Sequence, residues 1–350
     1  MLDQLGTHGL LDVSVEVRGR TQDVTDEQVN GAVGTAVGQA FADLGLCEHH
    51  VSSTFSAPLD ESLVGATLSL DGPSQLTYDV GFPTKLVGTY ETRLPELFFQ
   101  NFIQACGMSL SLIRQTPKNR GNSHHIIEAT FKAVARALRA AIDEVDQRPV
   151  EGTLVKREAS IHRKTGETDV DVDIKLDGKG TSDCDTMIPH LDLMLKDLAE
   201  TSGISFKVEC EGDIHIDDHH TNEDIAIVIG KALQEALGNR SGINRMGFAS
   251  ATVGEAQVEV TLDLSGRPHL EYELEIPDER VGTYDTQLVE HFYQSIVNNS
   301  GTTLHVRGIS GTNSPDLIAA GIHAFGAALK MAVRFDDRRL GKIASSKGVL

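Results

Sequence analysis

The sequence is poor in several residue types, and each shortage argues against a class of protein. It has no tryptophan, and aromatic residues make up only 5% of its 350 residues, so we expect a core of mainly aliphatic side chains. Its four cysteines are scattered without a Cys-x-x-Cys pair, which argues against a disulfide framework and a thiolate metal site. No uninterrupted apolar run approaches the length of a membrane span, so we expect no membrane partner.

Basic residues are also scarce. There are 31 Lys and Arg residues against 51 Asp and Glu residues, which gives a formal net charge of −20. A protein of this charge repels nucleic acid, so we expect no nucleic-acid partner. A small phosphorylated ligand remains compatible with this charge, because a local cationic pocket can lie within an acidic protein. The apolar fraction of 40% is that of a globular protein with room for two domains.

The chain repeats itself. The segment VGTYETRLPELFFQNFIQACGMSLSLI at 87–113 matches VGTYDTQLVEHFYQSIVNNSGTTLHVR at 281–307 without a gap. A polar segment containing proline and glycine separates the two halves, as a linker would. We therefore predict a first copy at 1–145, a linker at 146–155 and a second copy at 156–350.

Both copies alternate strand-like and helix-like runs. In the second copy VDVDIKLDG alternates apolar and polar residues as a half-buried strand does, and VSVEV in the first copy is also strand-like. The run IIEATFKAVARALRAAID has apolar residues at helical spacing. This order predicts an α+β fold with a sheet packed on helices. Met1 aligns with Met194, so we expect the first copy to be N-terminally truncated.

One unusual pattern, His-His-x-x-Glu, occurs once in each copy. Each occurrence opens a helix-like stretch, so its carboxylate lies about one turn from both imidazoles. Adjacent histidines point in different directions, which suits two neighbouring metal ions, and imidazole with carboxylate suits Mn, Fe, Zn or Ni. The residues are His219, His220 and Glu223 in the second copy, and His124, His125 and Glu128 in the first.

A simpler interpretation of such a motif is a solvated helix start. Asp217 and Asp218 would then cap the helix, and Glu223 and Asp224 would complement its dipole. The recurrence of the pattern in both copies favours the metal site.

Further segments together resemble the signatures of the imidazoleglycerol-phosphate dehydratases, the plant type in particular. These segments are HIDDHHTNED (215–224), LDLSGRPHLEYE (262–273), VGTYDTQLVEHF (281–292), TTLH (302–305), NSHHIIEATFKA (122–133) and SSKGVL (345–350). The resemblance covers nearly the whole chain. It implies a manganese-dependent lyase of histidine biosynthesis that converts imidazole glycerol phosphate into imidazole acetol phosphate. It also implies repeated βαββ-type half-domains, like the second domain of ribosomal protein S5, and a homo-oligomeric shell.

The ligand set that this resemblance implies is divided between the copies. The second copy keeps His219, His220, Glu223 and His305, and the first keeps His124, His125 and Glu128. At the lost positions stand Pro315, Asp316 and Ala319 in the second copy, and Asp23, Val24, Glu27 and Ser111 in the first. The family's remaining ligand corresponds to Leu193, with His190 one turn earlier as a candidate substitute. We predict one composite site that holds two Mn²⁺ ions.

The substrate-binding residues that the resemblance implies lie in the second copy alone. The phosphate contacts map to Arg245, Arg267, Ser346 and Lys347, whereas the first copy has His49 and Pro73 at the two arginine positions. Glu167 corresponds to the family's carboxylate beside the substrate and is the candidate for proton shuttling, with Glu223 and His220 in the catalytic set. Without the resemblance, Arg267 would be interpreted as a turn residue and Glu167 as a strand-surface carboxylate.

Two alternatives to a natural, active enzyme stay open. A catalytically impaired structural protein would still build the shell, and an engineered fusion would share the enzyme's chemistry. Leu193 and the truncated first copy favour impairment, whereas the intact phosphate cluster and the complementary ligand losses favour catalysis. We expect a cytoplasmic protein, or one of the plastid stroma if a transit peptide was removed.

Overall fold

The computed structural model describes residues 1–18, 24–146, 156–212 and 218–345. The chain divides into two compact units, Met1–Pro149 and Val150–Leu350. The predicted linker, apart from Asp146, lies outside the described residues.

The first unit combines four helices with one four-stranded sheet and a small hairpin in its described part. Its helices are α1 (Leu2–Gly9), α2 (Asp26–Ala42), α3 (Leu94–Cys106) and α4 (Ser123–Asp146). Its strands are β1 (Ser52–Leu59), β2 (Ser62–Ser69), β3 (Leu76–Asp79), β4 (Leu86–Val87), β5 (Tyr90–Glu91) and β6 (Ser109–Arg114). A short 3-10 turn at Leu46–Glu48 follows α2.

The second unit contains two half-domains. The first consists of β7 (Glu158–Lys164), β8 (Thr168–Lys175), β9 (Ser182–Asp185), α5 (Pro189–Ser202), β10 (Ser205–Gly212) and α6 (Asp218–Leu237). The second consists of β11 (Met246–Val253), β12 (Ala256–Asp263), β13 (His269–Glu273), β14 (Arg280–Val281), β15 (Tyr284–Asp285), α7 (Gln287–Ser300), β16 (Thr303–Ser310) and α8 (Ser314–Val333). A 3-10 turn at Asp337–Arg339 follows α8.

One sheet topology occurs three times. The first two strands form an antiparallel hairpin, the second also pairs antiparallel with the last, and the last pairs in parallel with the third. The strand orders are β1-β2-β6-β3, β7-β8-β10-β9 and β11-β12-β16-β13. The predicted α+β class with repeated half-domains is confirmed. Each half-domain runs three strands, helix, strand, helix, with a short hairpin (β4-β5 or β14-β15) before the first helix in two of them.

Helices cover the sheets and pair with one another. In each half-domain the last helix packs on the first hairpin, as α6 does on β7 and β8. Within the second unit α5 packs on α8 and α6 on α7, and within the first unit α1 packs on α4 and α2 on α3. The predicted strand at VDVDIKLDG is β8, and its buried side includes Val170, Val172 and Ile174. Aliphatic side chains dominate the core, as the lack of aromatics predicts.

Helix α8 qualifies the expectation about apolar runs. By length and composition it could cross a membrane, since it has 20 residues and an 18-residue stretch within it has a mean hydropathy of 1.4. Two-thirds of this apolar stretch is buried inside the protein, and the helix packs on β11, β12 and α5. Its apolar composition therefore fits its place in the core of the second unit.

The prediction of a strand at VSVEV is wrong. Residues 11–18 have no assigned helix or strand, and Val13, Val15 and Val17 are exposed by 38%, 38% and 55%. The aligned strand of the second copy, β10, fully buries Val208 because it lies between β8 and β9. In the described part of the first unit, no strands corresponding to β8 and β9 flank residues 11–18. Alternation therefore indicated the strand tendency, but pairing decides whether the strand forms.

Candidate active site

The motif of the first copy lies at the start of α4. The side chain of Asn122 accepts a hydrogen bond from the backbone N–H of His124 at 2.8 Å, and its carbonyl accepts one from Ile126 at 3.0 Å. This N-cap fixes the helix register. As the motif predicts, His124 Nε2 lies 3.6 Å from Glu128 Oε2, four residues later. His124 is half exposed, so its ring can reach a ligand outside the helix.

A second carboxylate contacts the other histidine of this motif. The oxygens of Glu61 lie 3.1 and 3.3 Å from His125 Nδ1, and one of them also accepts the backbone N–H of Asn122 at 2.7 Å. Glu61 comes from the turn between β1 and β2, far from His125 in sequence. Burial alone would raise the pKa of Glu61, but the hydrogen bonds from Asn122 and His125 outweigh it and leave the pKa lowered.

Lys132 is a further residue of this site that the sequence analysis did not single out. Its ammonium lies 2.8 Å from Glu128 Oε1, and its side chain is only 3% exposed. A buried ammonium beside a predicted metal ligand supplies positive charge at the site. The available signal was its position, four residues after Glu128 on the same face of α4.

The first motif of the second copy opens α6, and its flanking residues secure the helix. Asp224 accepts from Thr168 at 2.5 Å and pairs with Arg163 at 2.5 Å, so it does more than complement the helix dipole. Asn222 accepts from Tyr284 at 2.8 Å and donates to the carbonyl of Leu288 at 3.1 Å. Both Asn222 and Asp224 are buried. The polar residues Asn222 and Asp224, on either side of Glu223, thus anchor α6 to its neighbours.

The predicted ligands of α6 are more exposed than these neighbours. The ring of His219 lies 4.6 Å from that of His291, and His220 Nδ1 lies 3.6 Å from Glu167 Oε2. Glu167 belongs to the turn between β7 and β8 and is exposed, as is Glu223. The structure therefore brings the candidate proton shuttle next to one predicted metal ligand. Exposed positions suit a site that a further surface completes.

His305 lies elsewhere in the second unit. It is buried on β16, 1% exposed, and its ring lies 6.2 Å from that of His269. It belongs to the other half-domain from α6. Within the described residues, three potential ligand atoms lie within 4.8 Å of one another only in the groups Asp60–Glu61–His125 and His162–Asp169–Asp171. The four predicted ligands of the second unit, His219, His220, Glu223 and His305, thus do not form a closed cluster within the described part of that unit.

The candidate substitute for the missing ligand points inward. The His190 ring lies 4.8 Å from that of Tyr284, and burial lowers the pKa of His190. Its Nε2 atom makes no hydrogen bond with the described residues. Leu193, which stands at the family's ligand position, is 51% exposed.

The predicted phosphate-binding residues differ sharply in environment. Arg245 is buried and donates to both carboxylate oxygens of Asp263, at 2.6 and 2.8 Å, and to the carbonyl of Ala344 at 2.7 Å. Arg267 is exposed in the turn after β12, with its backbone N–H donated to Ser265 at 3.1 Å. Ser346 and Lys347 lie outside the described residues. The contact with Ala344 puts the end of the described chain beside Arg245.

The lost ligand positions are occupied by residues with other contacts. Asp316 lies in the first turn of α8, where its backbone N–H is capped by Asn313 at 3.0 Å. Glu27 is exposed on α2 and pairs with Arg93 at 3.0 Å. Val24 is exposed, and Asp23 lies outside the described residues. Neither lost motif presents a pair of imidazoles.

Comparisons of the sequence with a family model and with curated proteins identify the same enzyme family. A family model described as imidazoleglycerol-phosphate dehydratase matches residues 1–138 and 186–329. Over 194 residues the chain is 57% identical to the chloroplastic imidazoleglycerol-phosphate dehydratase of Pisum sativum, a match covering 55% of this chain and 69% of the relative. The enzyme of Trichodesmium erythraeum is 55% identical over 194 residues, covering 55% of this chain and 91% of the relative.

A solved structure is also similar. The crystal structure of imidazoleglycerol-phosphate dehydratase from Staphylococcus aureus aligns at 34% identity and a TM-score of 0.47, over 51% of this chain and 99% of that chain. The family model already matches well over half of the present chain, in two successive segments. The chain therefore belongs to the imidazoleglycerol-phosphate dehydratases, a family of hydro-lyases of histidine biosynthesis, and carries the family's fold in a tandem arrangement.

Proposed function

We propose that the chain dehydrates imidazole glycerol phosphate to imidazole acetol phosphate with ligands from both copies serving one active site. The observation that carries this proposal is the division of the His-His-x-x-Glu motifs. Each copy has lost the motif that the other keeps, and each surviving motif opens a helix whose flanking residues fix its register. Loss without selection for function would not be expected to spare one motif of each kind.

The donor set fits a divalent transition metal. Imidazole nitrogens and carboxylate oxygens are ligands that Mn²⁺ accepts. In the first copy, Glu61 contacts His125 through Nδ1 and so leaves Nε2 for a metal. We propose Mn²⁺, two ions for each composite site, held by His124, His125, Glu128, His219, His220, Glu223 and His305. When bound, the metal would supply Lewis-acid polarisation and a template for the substrate.

Side chains of the protein would carry out proton transfer and substrate binding. Glu167, 3.6 Å from His220, would carry the proton removed from the substrate carbon, because it is an exposed carboxylate beside a predicted ligand. Arg245, Arg267, Ser346 and Lys347 would hold the phosphate and orient the substrate. Arg245 would bind the phosphate through the guanidinium N–H groups that do not donate to Asp263 or Ala344.

Metal analysis combined with a coupled dehydration assay tests this function. We expect turnover that depends on Mn²⁺ and is lost on chelation. Glu167→Gln should lower kcat by at least about 100-fold with a small change in KM, because removing a proton carrier slows the chemical step. The matched control is Glu158→Gln, which changes an exposed carboxylate on the neighbouring strand β7. A metal-loaded protein without turnover would contradict the proposal.

A catalytically impaired shell protein is the second candidate function. It is favoured by Leu193 at a ligand position and by the engagement of Arg245 with Asp263. We propose a homo-oligomeric shell in either case. The relative from Pisum sativum named above is chloroplastic, which favours the plastid stroma over the cytoplasm as the compartment of the present chain.

A further inference from the structure

Glu61 occupies a junction between the sheet and the helix that carries the first copy's motif. It stands in the two-residue turn between β1 and β2, after Asp60, whose backbone is left-handed at φ 48°. Its Oε1 atom accepts from the backbone N–H of Asn122 at 2.7 Å and from Ser62 at 3.1 Å. The contact with Asn122 ties the hairpin turn to the start of α4.

The same carboxylate selects one form of the His125 ring. A carboxylate that is charged can only accept hydrogen bonds, so a bond to His125 requires a proton on Nδ1. Nδ1 lies 3.1 Å from Oε2 and 3.3 Å from Oε1. The neutral ring then carries its free lone pair on Nε2, the form in which an imidazole binds a metal through Nε2. His125 is only 25% exposed, so the ring has little freedom to turn away.

The second copy offers an internal comparison. Glu255 stands at the equivalent place, in the turn between β11 and β12, but the first turn of the helix it faces, α8, carries Pro315 and Asp316. Glu255 is exposed, and its Oε1 atom lies 3.4 Å from the hydroxyl of Thr312. Both turns thus contain a glutamate, but only in the first copy does an imidazole ring contact it.

We infer that Glu61 is a positioning residue, which fixes the tautomer and orientation of His125 so that Nε2 is presented as the ligand atom. The inference rests on the proposed metal site for its purpose, but the tautomer itself is a property of the metal-free protein. Carboxylates that hold metal-binding imidazoles in this way strengthen metal binding by about 10- to 100-fold.

Two measurements on the full chain test the inference. In the first, Mn²⁺ alone is titrated in the absence of substrate. Glu61→Gln should weaken the affinity by about 10- to 100-fold. Glu61→Asp, which keeps the charge, should lie between Gln and the native protein, and Glu255→Gln should leave the affinity unchanged. Equal affinities for the native and Glu61→Gln proteins would overturn the inference.

In the second measurement, histidine side chains are labelled with ¹⁵N in the metal-free protein, and His125 is assigned by its loss in His125→Gln. The native ring should carry its proton on Nδ1, and Glu61→Gln should shift the population towards Nε2–H. A native ring protonated on Nε2 would overturn the inference even if Glu61→Gln fails to fold. If Mn²⁺ does not bind the native protein but the tautomer follows Glu61, the positioning role stands and the proposed metal chemistry falls.

Discussion

The guanidinium of Arg245 donates two parallel hydrogen bonds to the carboxylate of Asp263, with Nε 2.6 Å from Oδ1 and Nη2 2.8 Å from Oδ2. Both side chains are buried, at 5% and 1% exposure. Arg245 also has a left-handed backbone, at φ 74°, which a β-carbon makes costly. The pair therefore holds a strained residue at the predicted phosphate site.

Breaking this pair should destabilise the second unit strongly. Asp263→Ala leaves a buried guanidinium without its counter-ion, so we expect the free energy of unfolding to fall by about 3 kcal/mol or more. The matched control is Glu259→Ala, which removes one of two carboxylates near Arg307, at 3.5 Å in a more exposed pair, and should cost about 1 kcal/mol or less. Urea unfolding measures both. Equal losses of unfolding free energy in the two variants would show that the buried pair stabilises the protein no more than the exposed pair does.

The close packing of α2 on α3 leads to a second prediction. A β-carbon at Gly38 would lie 2.3 Å from the carbonyl oxygen of Phe102, whereas one at Gly31 would lie no nearer than 3.6 Å to Asn101. Gly38→Ala should therefore destabilise the first unit by about 1–3 kcal/mol, because the helices must separate. Gly31→Ala should stabilise it by about 0.5–1 kcal/mol through helix propensity. Thermal unfolding distinguishes them, and a stable Gly38→Ala protein would refute the close contact.

Buried thiols predict alkaline sensitivity. Burial raises the pKa of Cys106 to about 11 and that of Cys210 to about 12, from an ordinary value of 9.0. Between pH 9 and 11 the unfolded chain loses these protons while the folded chain keeps them, so stability falls as pH rises. The slope is at most about 1.4 kcal/mol per pH unit for each thiol.

Urea midpoints measured from pH 8 to 10.5 check this expectation. Replacing Cys106 and Cys210 by alanine should flatten the decline. The part that remains is due to the other thiols and tyrosines whose pKa burial raises, which are Cys47, Cys184, Tyr78, Tyr90, Tyr272, Tyr284 and Tyr293. An unchanged slope in the double variant would contradict a role for the thiols.

The repeat and the residue periodicity predicted much of the fold. Alternation in VDVDIKLDG gave β8, and the helical spacing after His125 gave α4, because both signals are local. VSVEV was misassigned because a strand also needs a neighbour to pair with. Contacts between residues that are distant in sequence could not be predicted either, because they too depend on which segments become neighbours.

The candidate site shows the same limit. The His-His-x-x-Glu motifs are local patterns, so the sequence could reveal them and the helices that they open. The contact of Glu61 with His125 joins residues 64 positions apart, and only the folded hairpin brings them together. The engagement of Arg245 with Asp263 was missed because an arginine in a motif gives no sign of its burial.

The central claim is that both copies supply one metal site, and the number of Mn²⁺ ions bound per chain tests it most directly. We predict two ions for the native protein, and loss of metal together with most of the dehydration rate in either His124→Ala or His220→Ala. Asp316→Ala, which changes the residue standing where the second copy has lost its histidine, should keep both ions. A His124→Ala protein with full metal content and full rate would contradict the claim.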